Sequence, residues 1–243
     1  MSKDNFSTQA NIYAKFRPQY PAELFDYLFT KVKSFNNALD VATGNGQAAK
    51  VLAQKFNIVE ATDISERQII NATKMPNIHY SVQNAEKSTF RNHSFDLITV
   101  AQALHWFNFD LFFAEVERLI KKDGVFATWC YGLNKVNNEI DDLVLHFYQN
   151  VIGSYWDSER QHIENKYATI PFPWGMESTD FTYKIQYSAE DYLGYLNTWS
   201  SVQHYIKQNH VNPVSLIEKE LKALWGKNLL EVTFPIHMKL VCL

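Results

Sequence analysis

One stretch of the chain, residues 38–56, constrains the fold more than any other. It begins with the apolar run Ala-Leu-Asp-Val-Ala at residues 38–42, turns at Gly44 and Gly46, and continues with helix-forming residues. Glycine adopts backbone dihedrals that other residues avoid, and its missing Cβ lets a ligand approach the main chain. The pattern therefore predicts a strand, a tight turn and a helix, which is how a nucleotide-binding unit opens.

Two carboxylates bear on which nucleotide is bound. Asp63 ends a second apolar stretch and follows Gly44 by about 20 residues, the spacing of a ribose-binding acid. Residues 44–49 also fit the dinucleotide pattern G-x-G-x-x-G/A, so the glycines alone do not choose the ligand. Asp40, near the end of the first strand, would repel a pyrophosphate and attract the cationic ammonium and sulfonium of S-adenosylmethionine. The alternative is that Asp40 only caps the turn.

Several segments carry a family resemblance. Residues 40–46, Asp-Val-Ala-Thr-Gly-Asn-Gly, resemble the first motif of class I S-adenosylmethionine-dependent methyltransferases, usually written D/E-x-G-x-G-x-G. The chain departs from it at the first glycine, which is Ala42 here. Residues 82–86 resemble the third acidic segment, with asparagine in place of aspartate, and residues 94–100 and 121–129 resemble the fourth and fifth strands.

The resemblance implies the fold class, an α/β fold with a Rossmann-like, seven-stranded, mostly parallel sheet. Its last strand is expected to be antiparallel, and helices are expected on both faces. Alternating strand and helix patterns through residue 130 also favour a parallel sheet. Aromatic residues are frequent after that point, and we expect a helical and aromatic lid insertion there, with some of these rings lining the lid and others filling the core. We expect a single domain, 1–243, with a mobile leader (1–20), a cofactor-binding core (38–130), the lid insertion (131–178) and the last two strands with their helices (179–243).

The same resemblance assigns cofactor contacts along the motifs. Asp40 and the glycine turn are expected to hold the methionine part and Asp63 the ribose hydroxyls. Ile64 is expected to pack on the adenine, and the third segment to meet its edge. The predicted cofactor contacts are Asp40, Ala42, Gly44, Gly46, Asp63, Ile64, Asn84, Ala85, Glu86 and Gln102.

Residues 13–21, 101–107 and 192–200 resemble the trans-aconitate methyltransferase-like subgroup of small-molecule enzymes. His105 follows the fourth strand, so as a catalytic residue it is placed to deprotonate a hydroxyl or to hydrogen-bond a carboxylate. Capping of the next helix is the alternative. Arg17 is suited to a two-pronged pairing with a carboxylate, or to an exposed salt bridge. The predicted substrate contacts are Tyr13, Arg17, Tyr20, His105, Trp106, Trp129, Tyr131 and Trp199.

Composition limits the partners. A net charge of −3 gives no basic footprint for nucleic acid, and the two cysteines have no metal-ligand spacing, so no metal is predicted. The first residues lack the apolar core of a signal peptide, and no run has membrane-spanning length. We expect a cytoplasmic monomer or homodimer that methylates a small molecule, with a carboxylate or hydroxyl oxygen favoured. The alternatives are a catalytically silent cofactor-binding or partner-binding protein of this fold and, less favoured, an NAD(P)-dependent oxidoreductase.

Overall fold

The structure, a computed structural model, describes residues 16–243. Its centre is one seven-stranded sheet. The strands are β1 (Asn37–Val41), β2 (Ile58–Asp63), β3 (Ile78–Val82), β4 (Phe95–Ala101), β5 (Ile120–Tyr131), β6 (Glu177–Tyr187) and β7 (Leu230–Cys242). Their order is β3-β2-β1-β4-β5-β7-β6, in which β1 to β5 are parallel and β7 is antiparallel to both of its neighbours. The predicted Rossmann-like sheet with an antiparallel last strand is confirmed.

Helices pack around this sheet. They are α1 (Ala22–Lys31), α2 (Gln47–Leu52), α3 (Glu66–Ile70), α4 (Phe109–Leu119), α5 (Asn138–His146), α6 (Arg160–Glu164), α7 (Ala189–Asn197), α8 (Ser200–Asn209) and α9 (Ser215–Trp225). A short 3₁₀ turn, Leu104–Trp106, follows β4. Within residues 16–243, every helix is too short or too polar to cross a bilayer.

The core has two parts because side chains alternate across a strand. Ala38 of β1 and Leu97 of β4 belong to the part that contains α1, α2, α7 and α9. Their neighbours Leu39 and Ile98 belong to the other part, with α4 and α6. Both faces of the sheet are therefore covered, as its continuous apolar strands predict.

The helices after residue 131 are short and interrupted. α5 ends at His146, and a π-helical turn follows. α7 ends at Asn197, and α8 begins three residues later at Ser200. The Thr198 hydroxyl donates to the Tyr195 carbonyl at 2.6 Å, which competes with helix continuation, and Trp199 is extended.

Residues 16–20 end the predicted mobile leader, while its residues 1–15 lie outside the described residues. The Phe16 carbonyl accepts a hydrogen bond from the Tyr187 hydroxyl at 2.8 Å. The Phe16 ring lies so close to Gly194 that a Cβ there would approach it to 2.7 Å. The end of the leader is thus fixed against β6 and α7.

Candidate functional site

A cavity opens at the carboxyl ends of β1, β2 and β4. The strand order reverses between β1 and β4, and open α/β sheets bind ligands in the crevice at such a point. We call it the loop cavity. The predicted site residues that line it are Arg17, Tyr20, Ala42, Gly44, Asp63, Ile64, Gln102, Trp106 and Tyr131. Sequence reasoning missed Thr43, Asn45, Ser65, Gln68 and Phe107, which also line it and are neighbours of predicted positions.

Asp63 ties two of these turns together. One carboxylate oxygen accepts the Gly44 N–H at 2.9 Å, and the other accepts the Ser65 N–H at 2.8 Å. Gly44 has a φ of +56°, the left-handed region that glycine adopts without strain. Asp63 also lines the loop cavity, which brings a carboxylate to its wall. Beside it, Ile64 is 44% exposed, an apolar surface at the cavity wall.

Two other residues of the wall have left-handed backbone without being glycine. Ala42, where the family motif has glycine, has a φ of +52°, and Gln102 has a φ of +57°. Such a conformation costs an L-residue roughly 1–2 kcal/mol, which explains why glycine is usual at the first position. The Gln102 side chain is fixed to β5, because its amide oxygen accepts the Tyr131 N–H at 2.7 Å.

Asp40 does not lie where the sequence predicted. Its side chain is 1% exposed and is not among the residues that line the loop cavity. One oxygen accepts the Thr43 hydroxyl at 2.5 Å and the Ala49 N–H at 3.2 Å, and the other accepts the Thr99 hydroxyl at 2.8 Å. Burial raises the pKa of Asp40 to about 6. The predicted direct contact with the cofactor is therefore corrected, since Asp40 holds the turn from behind.

Gly46 is also absent from the cavity wall. It precedes α2 with a φ of +85°, and a Cβ there would lie 2.2 Å from the Tyr80 hydroxyl oxygen. Its glycine is required by packing and backbone conformation.

The segment predicted to meet the adenine edge lies outside the loop cavity as well. The Asn84 side-chain oxygen accepts the Glu86 N–H at 2.8 Å, and a Glu86 carboxylate oxygen accepts the Asn108 N–H at 3.0 Å. Asn84 and Ala85 line a separate small void under α4. The polar side chains of this segment brace the entry to α4, and its three predicted contacts with the adenine edge stay a prediction.

A second cavity adjoins the first and reaches into the region after β5. It shares Arg17, Gln102, Trp106 and Tyr131 with the loop cavity, and we call it the inner cavity. The Arg17 guanidinium contacts the Tyr131 hydroxyl and donates to the Thr198 carbonyl at 2.9 Å. The other residues of the inner cavity are His105, Trp156, Asp157, Arg160, Ile163, Tyr195, Trp199 and Ser200.

The structure brings most predicted substrate contacts to the two cavities, with two exceptions. Tyr13 lies outside the described residues. Trp129 is fully buried and packs edge-on against Tyr20 at 5.4 Å and Phe25 at 5.9 Å, measured between ring centroids. Its predicted substrate contact is wrong, because Trp129 points into the core beside α1.

His105 lies at the wall of the inner cavity and is 5% exposed. Its Nδ1 is 3.1 Å from the Tyr167 hydroxyl oxygen. Burial, together with the positive charge of Arg160 and the nearby His162, holds the pKa of His105 well below its ordinary value. The ring is therefore neutral near pH 7 and is a weak base.

Arg160, the first residue of α6, was not predicted. Its Nε donates to the Tyr148 hydroxyl at 2.9 Å, and its guanidinium lies over the Trp156 ring, 4.6 Å from the centroid. Arg160 makes no ion pair with any of residues 16–243. The sequence gives no signal for it, because the polar run 157–161 is typical of an exposed loop.

Comparisons with known proteins agree with this geometry. A family model described as a methyltransferase domain matches residues 39–128. A Dictyostelium discoideum protein named as a methyltransferase is 34% identical and covers 97% of this chain and 93% of its own length. The chain belongs to the class I S-adenosylmethionine-dependent methyltransferases. A solved structure described as a type II methyltransferase from Anaeromyxobacter dehalogenans is 36% identical, covers 93% of this chain and 98% of its own, and has a TM-score of 0.85.

The cofactor of this methyltransferase is S-adenosylmethionine. A solved Haemonchus contortus phosphoethanolamine N-methyltransferase in complex with S-adenosylmethionine shares the fold, at 17% identity over 95% of this chain and 56% of its own, with a TM-score of 0.50. The loop cavity fits such a ligand, because Asp63 brings hydrogen-bond acceptor oxygens to its wall and Ile64 offers an apolar face. The oxidoreductase alternative is not supported. The likeness to trans-aconitate methyltransferase-like enzymes stays a prediction.

Proposed function

We propose that this methyltransferase transfers the methyl group to a carboxylate oxygen of a small organic acid bound in the inner cavity. The observation that carries the proposal is Arg160, a guanidinium in the cavity wall without an ion-pair partner among residues 16–243. A half-buried guanidinium that faces a cavity with no carboxylate paired to it favours an anionic ligand there.

The hydrogen bonds of Arg160 leave its binding face open. Nε is used by the Tyr148 hydroxyl, and the flat face of the guanidinium lies on Trp156. Its two terminal NH₂ groups have no bond to residues 16–243 and are not enclosed by protein atoms. Guanidinium groups bind carboxylates through two parallel N–H···O bonds, which orient the acid as well as hold it.

The other charges of the wall support the same acceptor. Arg17 adds a second cation, while Asp157, whose carboxylate lies 3.7 Å from His204 Nδ1, contributes one negative charge. His105 is neutral because its pKa is held low. Among the lining residues within 16–243, two arginines against one aspartate leave one excess positive charge, which favours a monoanion over a neutral alcohol or an amine.

The chemistry needs no base with such an acceptor. When bound, S-adenosylmethionine supplies the methyl group: an oxygen–carbon bond forms at the carboxylate as the carbon–sulfur bond breaks, and its electron pair goes to sulfur. A carboxylate is already ionised near neutral pH, so no side chain removes a proton. The contribution of Arg17, Arg160 and His105 is orientation, an effect worth up to about 7–11 kcal/mol in the best cases.

We assign the loop cavity to the cofactor in the same proposal. Asp63 would hold the ribose, Ile64 the adenine, and the backbone at Gly44 the methionine part. Gln102, Trp106 and Tyr131 line both cavities, so they form the boundary across which methyl donor and acceptor meet.

Product chemistry tests the proposal. The purified protein is incubated with methyl-labelled S-adenosylmethionine and a panel of small carboxylic acids, phenols, alcohols and amines, and labelled products are separated. We expect labelled methyl esters, which mild alkali hydrolyses with release of labelled methanol. Alkali-stable ethers or N-methyl products from the better substrates would overturn the carboxylate assignment.

Arg160 variants test the carrying observation directly. Arg160→Ala should raise KM for the acid by about 10–100-fold, the equivalent of about 1.5–3 kcal/mol for a charged hydrogen bond. Arg160→Lys should recover part of it. The exposed Arg91→Ala is the matched control for a lost positive charge and should change nothing. An unchanged KM in Arg160→Ala would remove Arg160 from the acceptor site.

A further inference from the structure

Behind the inner cavity lies a buried pair, His105 and Tyr167. The Tyr167 side chain is 0% exposed, and its hydroxyl oxygen is 3.1 Å from Nδ1 of His105. The two rings are 6.1 Å apart between centroids. The two residues come from the turn after β4 and the segment after α6, so the contact joins the cofactor-binding half of the chain to the insertion.

The hydroxyl of Tyr167 determines whether it is the donor or the acceptor of its hydrogen bond with His105. Within residues 16–243, its one side-chain hydrogen-bond partner is His105, and its burial excludes bulk water. A phenol carries one O–H proton, and a buried donor without an acceptor is unfavourable. If Nδ1 carried the proton, it would donate to the phenol oxygen and leave the phenol proton without an acceptor. The satisfied arrangement has the Tyr167 O–H donating to an unprotonated Nδ1.

The backbone at Tyr167 is constrained in a way that maintains this contact. Lys166 and Tyr167 have φ values of +52° and +59°, a left-handed conformation that is rare for side chains of this size. The Tyr167 N–H donates to the His162 carbonyl at 2.7 Å. Consecutive residues in such a conformation persist only where their surroundings enforce it, and they cluster at functional sites.

We propose that Tyr167 is a positioning residue that fixes His105 in the tautomer with its proton on Nε2, so that His105 presents a hydrogen-bond donor to the acceptor. The proposal rests on the proposed function and deepens it. A protonated Nε2 donates to a carboxylate oxygen but has no lone pair with which to take a proton from a hydroxyl. Tyr167 thereby adapts His105 to an acceptor that is already ionised.

The charges around His105 keep its ring neutral, so the ring has a defined tautomer. After burial, the positive charge of Arg160 and the nearby His162 hold the pKa of His105 low, and Asp157 and Arg17 face the same cavity. Because the ring is neutral near pH 7, one of its nitrogens carries a proton and the other does not. A doubly protonated ring would donate from both nitrogens and would need no tyrosine to select one.

The tautomer can be read without any acceptor. Protein labelled with ¹⁵N in histidine is studied by NMR at pH 7 in the presence of S-adenosylhomocysteine, and His105 is assigned by the signal lost in His105→Gln. We expect a protonated Nε2 and an unprotonated, hydrogen-bonded Nδ1. In Tyr167→Phe the Nδ1 resonance should move to the position of a nitrogen without that bond. A protonated Nδ1 in the wild-type protein would overturn the proposal.

A matched variant separates this role from a general loss of packing. Tyr192 is also buried, at 1% exposure, and its hydroxyl accepts one hydrogen bond, from Asn134 Nδ2 at 2.8 Å. Tyr192→Phe should leave the His105 resonances unchanged. Since this spectrum needs no methyl acceptor, it stands even if the carboxylate assignment fails, so the two failures are distinguishable.

Kinetics test whether the tautomer matters. With an identified acid, Tyr167→Phe should lower kcat/KM for the acid about tenfold and leave S-adenosylhomocysteine affinity unchanged, whereas Tyr192→Phe should do neither. His105→Gln should retain more activity than His105→Asn, because the glutamine amide reaches the position of Nε2 and still donates. Equal losses in both His105 variants, or an unaltered kcat/KM in a Tyr167→Phe protein whose resonance has moved, would contradict the positioning role.

Discussion

The loop cavity and the inner cavity share a wall, yet they are built in opposite ways. The loop cavity is formed mainly by the turns after β1, β2 and β4, together with Arg17, Tyr20 and Tyr131. The inner cavity is formed by long side chains from five separate segments, those around Arg17, His105, Tyr131, Arg160 and Trp199. On the proposed assignment, recognition of the cofactor depends mainly on turns that sequence motifs mark, while recognition of the acceptor depends on residues that only the folded chain brings together.

If this contrast is correct, the two functions should respond to different substitutions. Changes behind the loop cavity should affect stability and cofactor affinity, and changes in the inner cavity should affect the KM of the acceptor. Residues of the shared wall should affect both.

Substitution of Asp40, which lies behind the loop cavity, should produce the largest effect, and that effect is on the unfolding free energy of the protein. Its pKa is raised by burial from 3.8 to about 6, so between pH 4 and 6 the folded protein binds more protons than the unfolded chain. The unfolding free energy should therefore fall as pH rises through this window, by about 3 kcal/mol in total. Asp40→Asn removes this titration. We expect the difference in urea-unfolding free energy between wild type and variant to change by that amount from pH 4 to pH 7.

The exposed Asp142 provides the control for this experiment. Asp142→Asn should follow the wild-type pH dependence. Parallel curves for the wild type and Asp40→Asn would show that the buried carboxyl does not titrate in this range.

Asp63 should produce the next largest effect, on the cofactor alone. Asp63→Ala removes the acceptor of the Gly44 and Ser65 N–H groups and of the proposed ribose bonds, so S-adenosylhomocysteine affinity should fall by about 1.5–3 kcal/mol in calorimetry. Asp63→Asn keeps one acceptor oxygen and should lose less. Unchanged affinity in a folded Asp63→Ala protein would refute the ribose assignment.

Gln102 should produce the smallest effect, but on both cavities. Gln102→Ala removes the acceptor of the Tyr131 N–H. The variant should bind the cofactor less tightly and have a higher KM for the acceptor, each by the equivalent of about 0.5–1.5 kcal/mol. Gln102→Glu keeps that acceptor and tests whether the hydrogen bond is the cause. An effect on one ligand alone would mean that the shared wall does not couple the two sites.

Sequence was sufficient for the sheet and for much of the loop cavity. Gly44 and Asp63 could be assigned because a strand, a turn and a carboxylate at fixed spacing are consequences of local geometry. The same reasoning placed Asp40 at the ligand, whereas its carboxylate accepts hydrogen bonds from Thr43 and Thr99 inside the protein. Periodicity gives the end of a strand but not the direction in which a polar side chain turns there.

The inner cavity was largely beyond prediction for a physical reason. Arg160 follows a polar run and Tyr167 follows a five-residue helix, so neither belongs to a repeating pattern that identifies a face. Their roles arise from contacts with His105, Tyr148 and Trp156, which are set by packing. Trp129 illustrates the reverse error, since an aromatic residue beside a predicted site can be wholly core.

The position of β7 has a consequence for the order in which the protein folds. Val125 of β5 pairs with Cys242 of β7, so this pairing closes a loop that contains the whole chain between them, including α6. β6 is joined to the sheet through β7. Distant pairings of this kind are slow, because the entropy of the closed loop is lost before the contacts form. We therefore expect an intermediate in which β1 to β5 are assembled and bind S-adenosylhomocysteine weakly, before the residues proposed to recognise the acceptor have come together.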